Sequence, residues 1–317
     1  MLELGATSDF LMEAALKPNT RKTYTSAQTR FLTFCSIYRF SPIPVTEDTL
    51  LLYISYLYEE GLSASSIRVY LAAVRSLHVY SNEPYPTNML RVRLALKGAV
   101  RNSPLPKRKL PITFIILKQM LTHVRLRHDK TLIDCVMTLA FFGCLRLAEC
   151  CVIDGQNFNP KIHLCVSDVS LDHVKKQFSL FIKQSKTDST NTGVSIYIGC
   201  SHDTQCCAYC SMRHYMSVRL TVIDPDTSPL FILPGGGILF KSYLVKITRL
   251  LLSMSGYNPS LYSGHSFRAG AATSAGNNNF RDWEVQLLGR WSSQAYTVYM
   301  RNPQITASFA HRLASTL

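Results

Sequence analysis

The chain has 317 residues, with 34 Lys and Arg against 20 Asp and Glu, a formal net charge of +14. Hydrophobic residues make up 47%, which excludes a wholly disordered chain, and the length accommodates two domains. The basic excess is shared: up to residue 110 there are 14 basic and 8 acidic residues, and the remainder has 20 and 12. That excludes a neutral enzyme with a basic tail and suits two domains that both face a polyanion such as nucleic acid.

The first 17 residues are acidic and amphipathic and lack the basic-then-apolar pattern of a secretory signal. A helix is expected from a Thr20 cap through Phe40, with Tyr24, Phe31, Leu32 and Cys35 on one side, until Ser41-Pro-Ile-Pro44 breaks it. Thr46 then caps a second helix that Gly61 closes. A third runs from about Ser65 to Tyr80, where Ile67, Tyr70, Leu71, Val74 and Leu77 recur at the spacing of one helical face. Arg68 and Arg75 lie away from most of that stripe. A fourth helix covers residues 87–101, completing a four-helix module.

Residues 103–111, SPLPKRKLP, read as an extended linker whose Lys107, Arg108 and Lys109 serve phosphate contact, nuclear import or only solvation. Beyond it, helices are expected at about 113–126 and 129–143, then strands at 164–171, 177–182 and 193–198, with a polar turn between the last two. The apolar run Cys135–Leu145 is too short to span a bilayer. From Cys206 the chain is helical again, interrupted at 224–229 and 234–237. The fold class is therefore mainly α with a small antiparallel sheet. The ten cysteines are expected to be reduced, in a soluble intracellular protein.

Several residues carry chemistry only as a set. Arg146 ends an apolar helix, where a cation is costly unless it meets an anion, and Glu149 shares its face. His265 and Arg268, three apart, project together from a helix start that favours phosphate. Lys186 sits at the tip of the strand–turn–strand, and Trp291 precedes a helical stretch containing Tyr296 and Tyr299. Singly, each is equally a helix-end ion pair, a cap, a turn lysine or a core aromatic. Together, two arginines that clamp a phosphodiester, a lysine that protonates the departing oxygen and an attacking tyrosine make one metal-free phosphoryl-transfer chemistry. Cys200, His202, Cys206, Cys207, Cys210 and His214 form a second cluster, in which Cys207, Cys210 and His214 share a helical face. Those three could hold zinc with Cys200 or His202 completing the site, but buried thiols are the default reading and no metal is assigned.

The segments YSGHSFRAGAATSA, LGRWSSQAYTVYMRN, FFGCLRLAE, KQSKTD, TRKTYTSAQTRFLTFC and SSIRVYLAAVRSLH resemble the tyrosine recombinase, or phage integrase-like, family. The nearest likeness is to recombinases of eukaryotic DIRS, Ngaro and Crypton elements. The resemblance implies a helical, SAM-like DNA-binding domain at 1–102, a linker at 103–111 and a catalytic domain at 112–317, closing on DNA as a C-shaped clamp. It implies site-specific recombination of double-stranded DNA through a 3′-phosphotyrosyl intermediate, for integration or excision of a mobile element. No metal, ATP, other cofactor, small-molecule substrate or membrane is implied.

By the same resemblance Arg146 and Arg268 bind the scissile phosphate, Lys186 is the general acid, and His265 assists proton transfer. Trp291 lies against the phosphate, Glu149 supports the site, and Tyr299 attacks. Arg21, Lys22, Arg68, Arg75, Lys107, Arg108 and Lys109 are the DNA-binding candidates. Four protomers joining two sites through a Holliday junction, a neighbour contact by residues 302–317, and a nuclear location are also implied. One departure stands out: Trp291 to Tyr299 is one residue shorter than the common family spacing, a turn of about 100° on a helix. Tyr296 is the lesser nucleophile candidate. The rival readings are relaxation of DNA in the manner of a type IB topoisomerase and a domesticated, non-catalytic DNA-binding protein.

Overall fold

A computed structural model describes residues 2–299, leaving out 88, 105–107, 186–191 and 222–226. The chain divides into two compact units, Met1–Pro106 and Lys107–Leu317.

The first unit is all helix: α1 (Leu2–Ala14), α2 (Pro18–Tyr38), α3 (Glu47–Glu59), α4 (Ala64–Tyr80) and α5 (Leu90–Asn102). The acidic N-terminal stretch thus adds a fifth helix to the four expected. α2 begins two residues before Thr20, because Pro18 fits the first turn, where its missing N–H costs nothing. Thr46 does cap α3, accepting from the Thr49 N–H at 3.2 Å, and Ser63 caps α4 in the same way. The core is built from Phe31, Phe34, Leu50, Tyr53, Leu57, Ile67, Leu71 and Val74. Leu32 turns outward instead. His78 is fully buried, and its Nε2 accepts from the Val45 N–H at 3.0 Å while Nδ1 lies 2.9 Å from the Val74 carbonyl. Both ring nitrogens are used, so the imidazole ties the segment entering α3 to α4.

The second unit opens with α6 (Phe114–Val124), capped by Thr113, and α7 (Lys130–Phe142). α7 is buried along most of its length, and α6, α9 (Ala208–Arg219) and α11 (Ser266–Asn277) pack on it. The short α8 (Leu147–Cys150) follows α7 directly, α10 (Lys241–Met254) packs on α6, and α12 (Asp282–Gly289) packs on α11.

Between α8 and α9 lies a three-stranded antiparallel sheet in the order β1 (Val169–Asp172), β2 (Gln177–Ile182), β3 (Val194–Gly199). Val169 faces Leu180, and Phe178 faces Ile198. The first strand is shorter than the pattern suggests. Val166–Asp168 forms a 3-10 turn, because the Asp168 carboxylate takes the Cys165 N–H at 2.7 Å and pairs with Lys183. The end of the linker is fixed to the second unit: the Leu110 N–H donates to the Leu261 carbonyl and the Ile112 N–H to that of Ser266, at 2.7 and 2.9 Å. Among the described residues no helix is long and apolar enough to cross a membrane.

α11 passes so close to Ile112 that a Cβ on Gly270 would overlap the Ile112 main-chain carbonyl. Gly270→Ala should therefore cost about 1–3 kcal/mol and lower the thermal midpoint by several degrees. An unchanged midpoint in calorimetry would mean that this close approach does not fix α11.

Candidate active site

The site forms where three helix ends meet. α7 stops at Phe142, Cys144 takes the left-handed conformation (φ 47°), and Arg146 becomes the residue ahead of α8. Glu149 folds back on that start: one oxygen accepts the Arg146 main-chain N–H at 3.0 Å and the other its guanidinium at 2.9 Å. The three-residue spacing seen in the sequence therefore lets the carboxylate satisfy the Arg146 main-chain N–H as well as form an ion pair.

Glu149 also holds a second cation. Arg290, just past α12 and itself left-handed (φ 55°), donates to Glu149 Oε2 at 2.9 Å. Sequence reasoning missed Arg290; its signal was its place beside Trp291 in the same motif. One Arg290 nitrogen, Nη1, is buried without a hydrogen-bond partner. An unpaired guanidinium N–H costs free energy away from water, so the group suits an incoming anion.

Arg268, in the first turn of α11, is only 3% exposed. It donates to the Cys144 carbonyl at 2.6 Å and to that of Gly289. The Gly289 carbonyl is the last of α12 and that of Cys144 lies two residues past the end of α7, and the C-terminal end of a helix favours a cation. The Trp291 ring lies 4.3 Å from the guanidinium carbon and completes the cage. Gly289 permits this, since a Cβ there would overlap the indole. Burial, joined by the charges of Arg146 and Arg290, pulls Arg268 below its usual pKa, against the pull of Glu149. Five N–H donors on one planar group leave some for a ligand even after two carbonyls are bound.

The tyrosines separate by burial. Tyr296 is 3% exposed, packed with Ala272, Ala275 and Val285. Tyr299 is half-buried after the 3-10 turn Gln294–Val298, and its carbonyl accepts from Thr273 Oγ1 of α11 at 2.9 Å. Both rings lie 6.0 Å from that of Trp291. Side-chain contacts thus link Arg146, Glu149 and Arg290 in one set and Arg268, Trp291 and Tyr299 in another, and the main chain of Gly289, Arg290 and Trp291 joins the two. His265 stands at the N-terminus of α11 with an exposed side chain, its main-chain N–H on Ser263 Oγ at 3.3 Å. Lys186 lies outside the described residues. Lys183, at the root of the same hairpin, is occupied: it lies 2.5 Å from Asp168, 3.2 Å from the His163 carbonyl and 3.1 Å from Cys165 Sγ.

Among the DNA-binding candidates, Arg21, Lys22, Arg68, Arg75 and Arg108 are exposed, and Lys107 is outside the described residues. Lys109 is exposed yet donates to the Ser260 carbonyl at 2.6 Å.

With this geometry in view, residues 8–82 match the phage integrase N-terminal SAM-like domain. An integrase/recombinase xerD homolog of Selenomonas ruminantium is 23% identical over 294 residues, covering 89% of this chain and 81% of its own. Among solved structures, the Tn1549 transposon integrase in complex with a circular intermediate DNA superposes at a TM-score of 0.63, with 14% identity and 94% of both chains covered. The XerH site-specific recombinase bound to a palindromic difH substrate gives 0.60, with 16% identity, over 86% of this chain and 72% of that one. A lambda integrase dimer bound to a core site gives 0.56, with 16% identity, over 94% and 76%. The likeness to these solved structures is one of fold. Residues 8–82 thus carry the phage integrase SAM-like domain, and the chain as a whole is similar to recombinases and integrases.

Glu149 is the only carboxylate bonded to Arg146 or Arg290 among the described residues. Its removal leaves two mostly buried cations uncompensated, at a cost of about 2–4 kcal/mol after allowance for their partial exposure. Glu149→Gln should lower the urea midpoint accordingly; an unchanged midpoint would mean that the carboxylate does not hold them.

Proposed function

We propose that the protein is a site-specific DNA recombinase that cleaves and rejoins double-stranded DNA through a 3′-phosphotyrosyl intermediate, without ATP or a catalytic metal. The observation that carries this is a pair of guanidinium groups bridged by one carboxylate beside a third, buried one, which is covered by the indole that packs on the half-buried ring of Tyr299. Three cations against one anion leave a deficit that a phosphodiester fills.

In this reading the Tyr299 oxygen attacks phosphorus, and the bond to the 5′-oxygen breaks. The phenolic proton passes by way of His265, and Lys186 gives a proton to the leaving oxygen. The 5′-hydroxyl of a second strand later attacks the phosphotyrosine and releases Tyr299, so no bond energy is lost to water. Charge that builds on the nonbridging oxygens meets Arg146, Arg268 and Arg290, fixed before the reaction begins. Arg290 stands nine residues ahead of Tyr299, one further than Trp291, and so restores the common family spacing. We assign the phosphate contact to Arg290 and give Trp291 the task of seating Arg268. Arg21, Lys22, Arg68, Arg75 and the basic linker residues meet the DNA backbone. Assembly of four protomers on two DNA sites, and work on a mobile element in the nucleus, belong to the same proposal. The segment at 302–317 assigned to the protomer contact lies outside the described residues.

Covalent trapping tests the chemistry. On nicked duplexes carrying the element's ends, without added magnesium, a protein–DNA adduct should survive a denaturing gel and disappear in Tyr299→Phe but not in Tyr296→Phe. Loss only in Tyr296→Phe would move the nucleophile by one helical turn. No adduct on DNA that the protein binds would favour a non-catalytic DNA-binding protein, and relaxation of plasmid by unpaired protomers would favour the topoisomerase reading.

Arg290→Ala should slow cleavage by about 10²-fold or more, the scale of losing one transition-state donor, whereas Trp291→Phe should cost less than about tenfold. The reverse order would restore Trp291 as the phosphate contact. Joint replacement of Arg68 and Arg75 by Ala should weaken DNA binding and flatten the log K against log salt slope by up to about 2. An unchanged slope would remove both from the interface.

A further inference from the structure

Three cysteines outside the arginine–tyrosine site converge at one end of the sheet. Cys200 directly follows β3, Cys207 precedes α9 as its N-terminal cap, and Cys210 lies in the first turn of α9. Their sulfurs all lie within 4.8 Å of one another, and those of Cys200 and Cys207 are 3.6 Å apart. A tetrahedral zinc ion with Zn–S bonds of about 2.3 Å needs sulfurs about 3.8 Å apart. One pair already has that spacing, and the third sulfur needs a shift of about 1 Å at most. A disulfide needs about 2.0 Å, well short of the Cys200–Cys207 separation, and all three cysteines are free.

The loop between the ligands is built to hold this shape. Asp203 Oδ1 accepts the N–H groups of Gln205 and Cys206 at 2.8 and 2.9 Å, its other oxygen takes Lys118 at 2.8 Å, and Ser201 Oγ bonds the Cys206 carbonyl at 2.9 Å. Main-chain N–H groups point at the sulfurs: those of Ser201 and Cys210 at Cys207, at 3.4 and 3.5 Å, and that of His202 at Cys200, at 3.4 Å. Such donors stabilise thiolate over thiol and orient metal ligands. Cys206, one residue before Cys207, is fully buried in the core instead.

Cys210 is exposed and Cys200 half-buried, so an ion has a route in. Among the described residues no fourth histidine, cysteine or carboxylate joins the three, His202 and His214 included. The fourth position therefore opens to solvent.

We propose that Cys200, Cys207 and Cys210 bind one zinc ion that staples the end of β3 to the start of α9. Thiolate ligands select a soft ion, and zinc brings no redox chemistry. The ion is structural and takes no part in strand transfer, so the proposal stands or falls apart from the recombinase reading.

The test is metal analysis of the whole protein, purified under reducing conditions without chelator. About one equivalent of zinc per chain is expected, released by a mercurial thiol reagent. Cobalt replacing it should give thiolate-to-cobalt charge-transfer bands and the strong visible bands of a tetrahedral site. Cys207→Ser and Cys210→Ser should lose the ion, while Cys35→Ala, in the other unit, keeps it. Should the serine variants fail to fold, stripped wild type answers instead: its thermal midpoint should rise when zinc is restored and not when magnesium is added. Reduced, folded wild type that neither carries zinc nor is stabilised by it would overturn the proposal. So would copper in place of zinc, or a Cys200–Cys207 disulfide that persists in reducing buffer.

Discussion

Three guanidinium groups close together repel one another, and the active end of this protein is arranged around that repulsion. Glu149 meets it directly, with one oxygen on Arg146 and the other shared between the Arg146 main chain and Arg290. A single carboxylate in a poorly hydrated corner gains more Coulomb energy than it would in water, but its desolvation takes back much of that gain. What it secures is geometry: two forked donors fixed by one planar acceptor. Because the neutralisation is incomplete, the site keeps a net positive charge after its internal bonds are made.

Arg268 is stabilised by another means. It has no carboxylate of its own; it faces two helix C-termini and an indole. Carbonyl dipoles and a π face lower the cost of burial without cancelling the charge, so the cation remains available to an anion. The same bonds bind α7, α11 and α12 at one point. The elements that carry Arg146, Arg268 and Arg290 are thereby held in register by the groups that would hold a phosphate, which joins stability and preorganisation in the same residues.

Much of this was legible in the sequence. Thr46 as a cap, the apolar stripe of α4 and the antiparallel sheet follow from local spacing and turn chemistry. Arg146, Glu149, His265, Arg268 and the tyrosine motif could be singled out because their spacings mean something on a helix. Other features depended on tertiary partners. Arg290 looks like a surface residue until α12 ends and turns it onto a carboxylate 141 positions away. The choice between Tyr296 and Tyr299 needs the small residues of α11, which leave room to bury one ring and expose part of the other. The first strand was read too long because Asp168 satisfies a main-chain donor that a strand would have spent on the ladder. His214 shares a helical face with Cys207 and Cys210, but spacing alone could not show that Cys200 comes to them and His214 does not.

In the proposed site Trp291 serves the chemistry without meeting the substrate. Its ring covers Arg268 on one side and touches both tyrosines, and Gly289 is bare so that the indole can fold back. A flat, rigid group that contacts cation and phenol together sets their separation more firmly than two flexible chains would set it by themselves. The left-handed turn at Arg290 has the same logic, since it costs about 1–2 kcal/mol for a non-glycine residue and sends neighbouring side chains in different directions. Arg290 goes to the carboxylate and Trp291 to the buried arginine. One tight turn thus supplies both the extra cation and the platform.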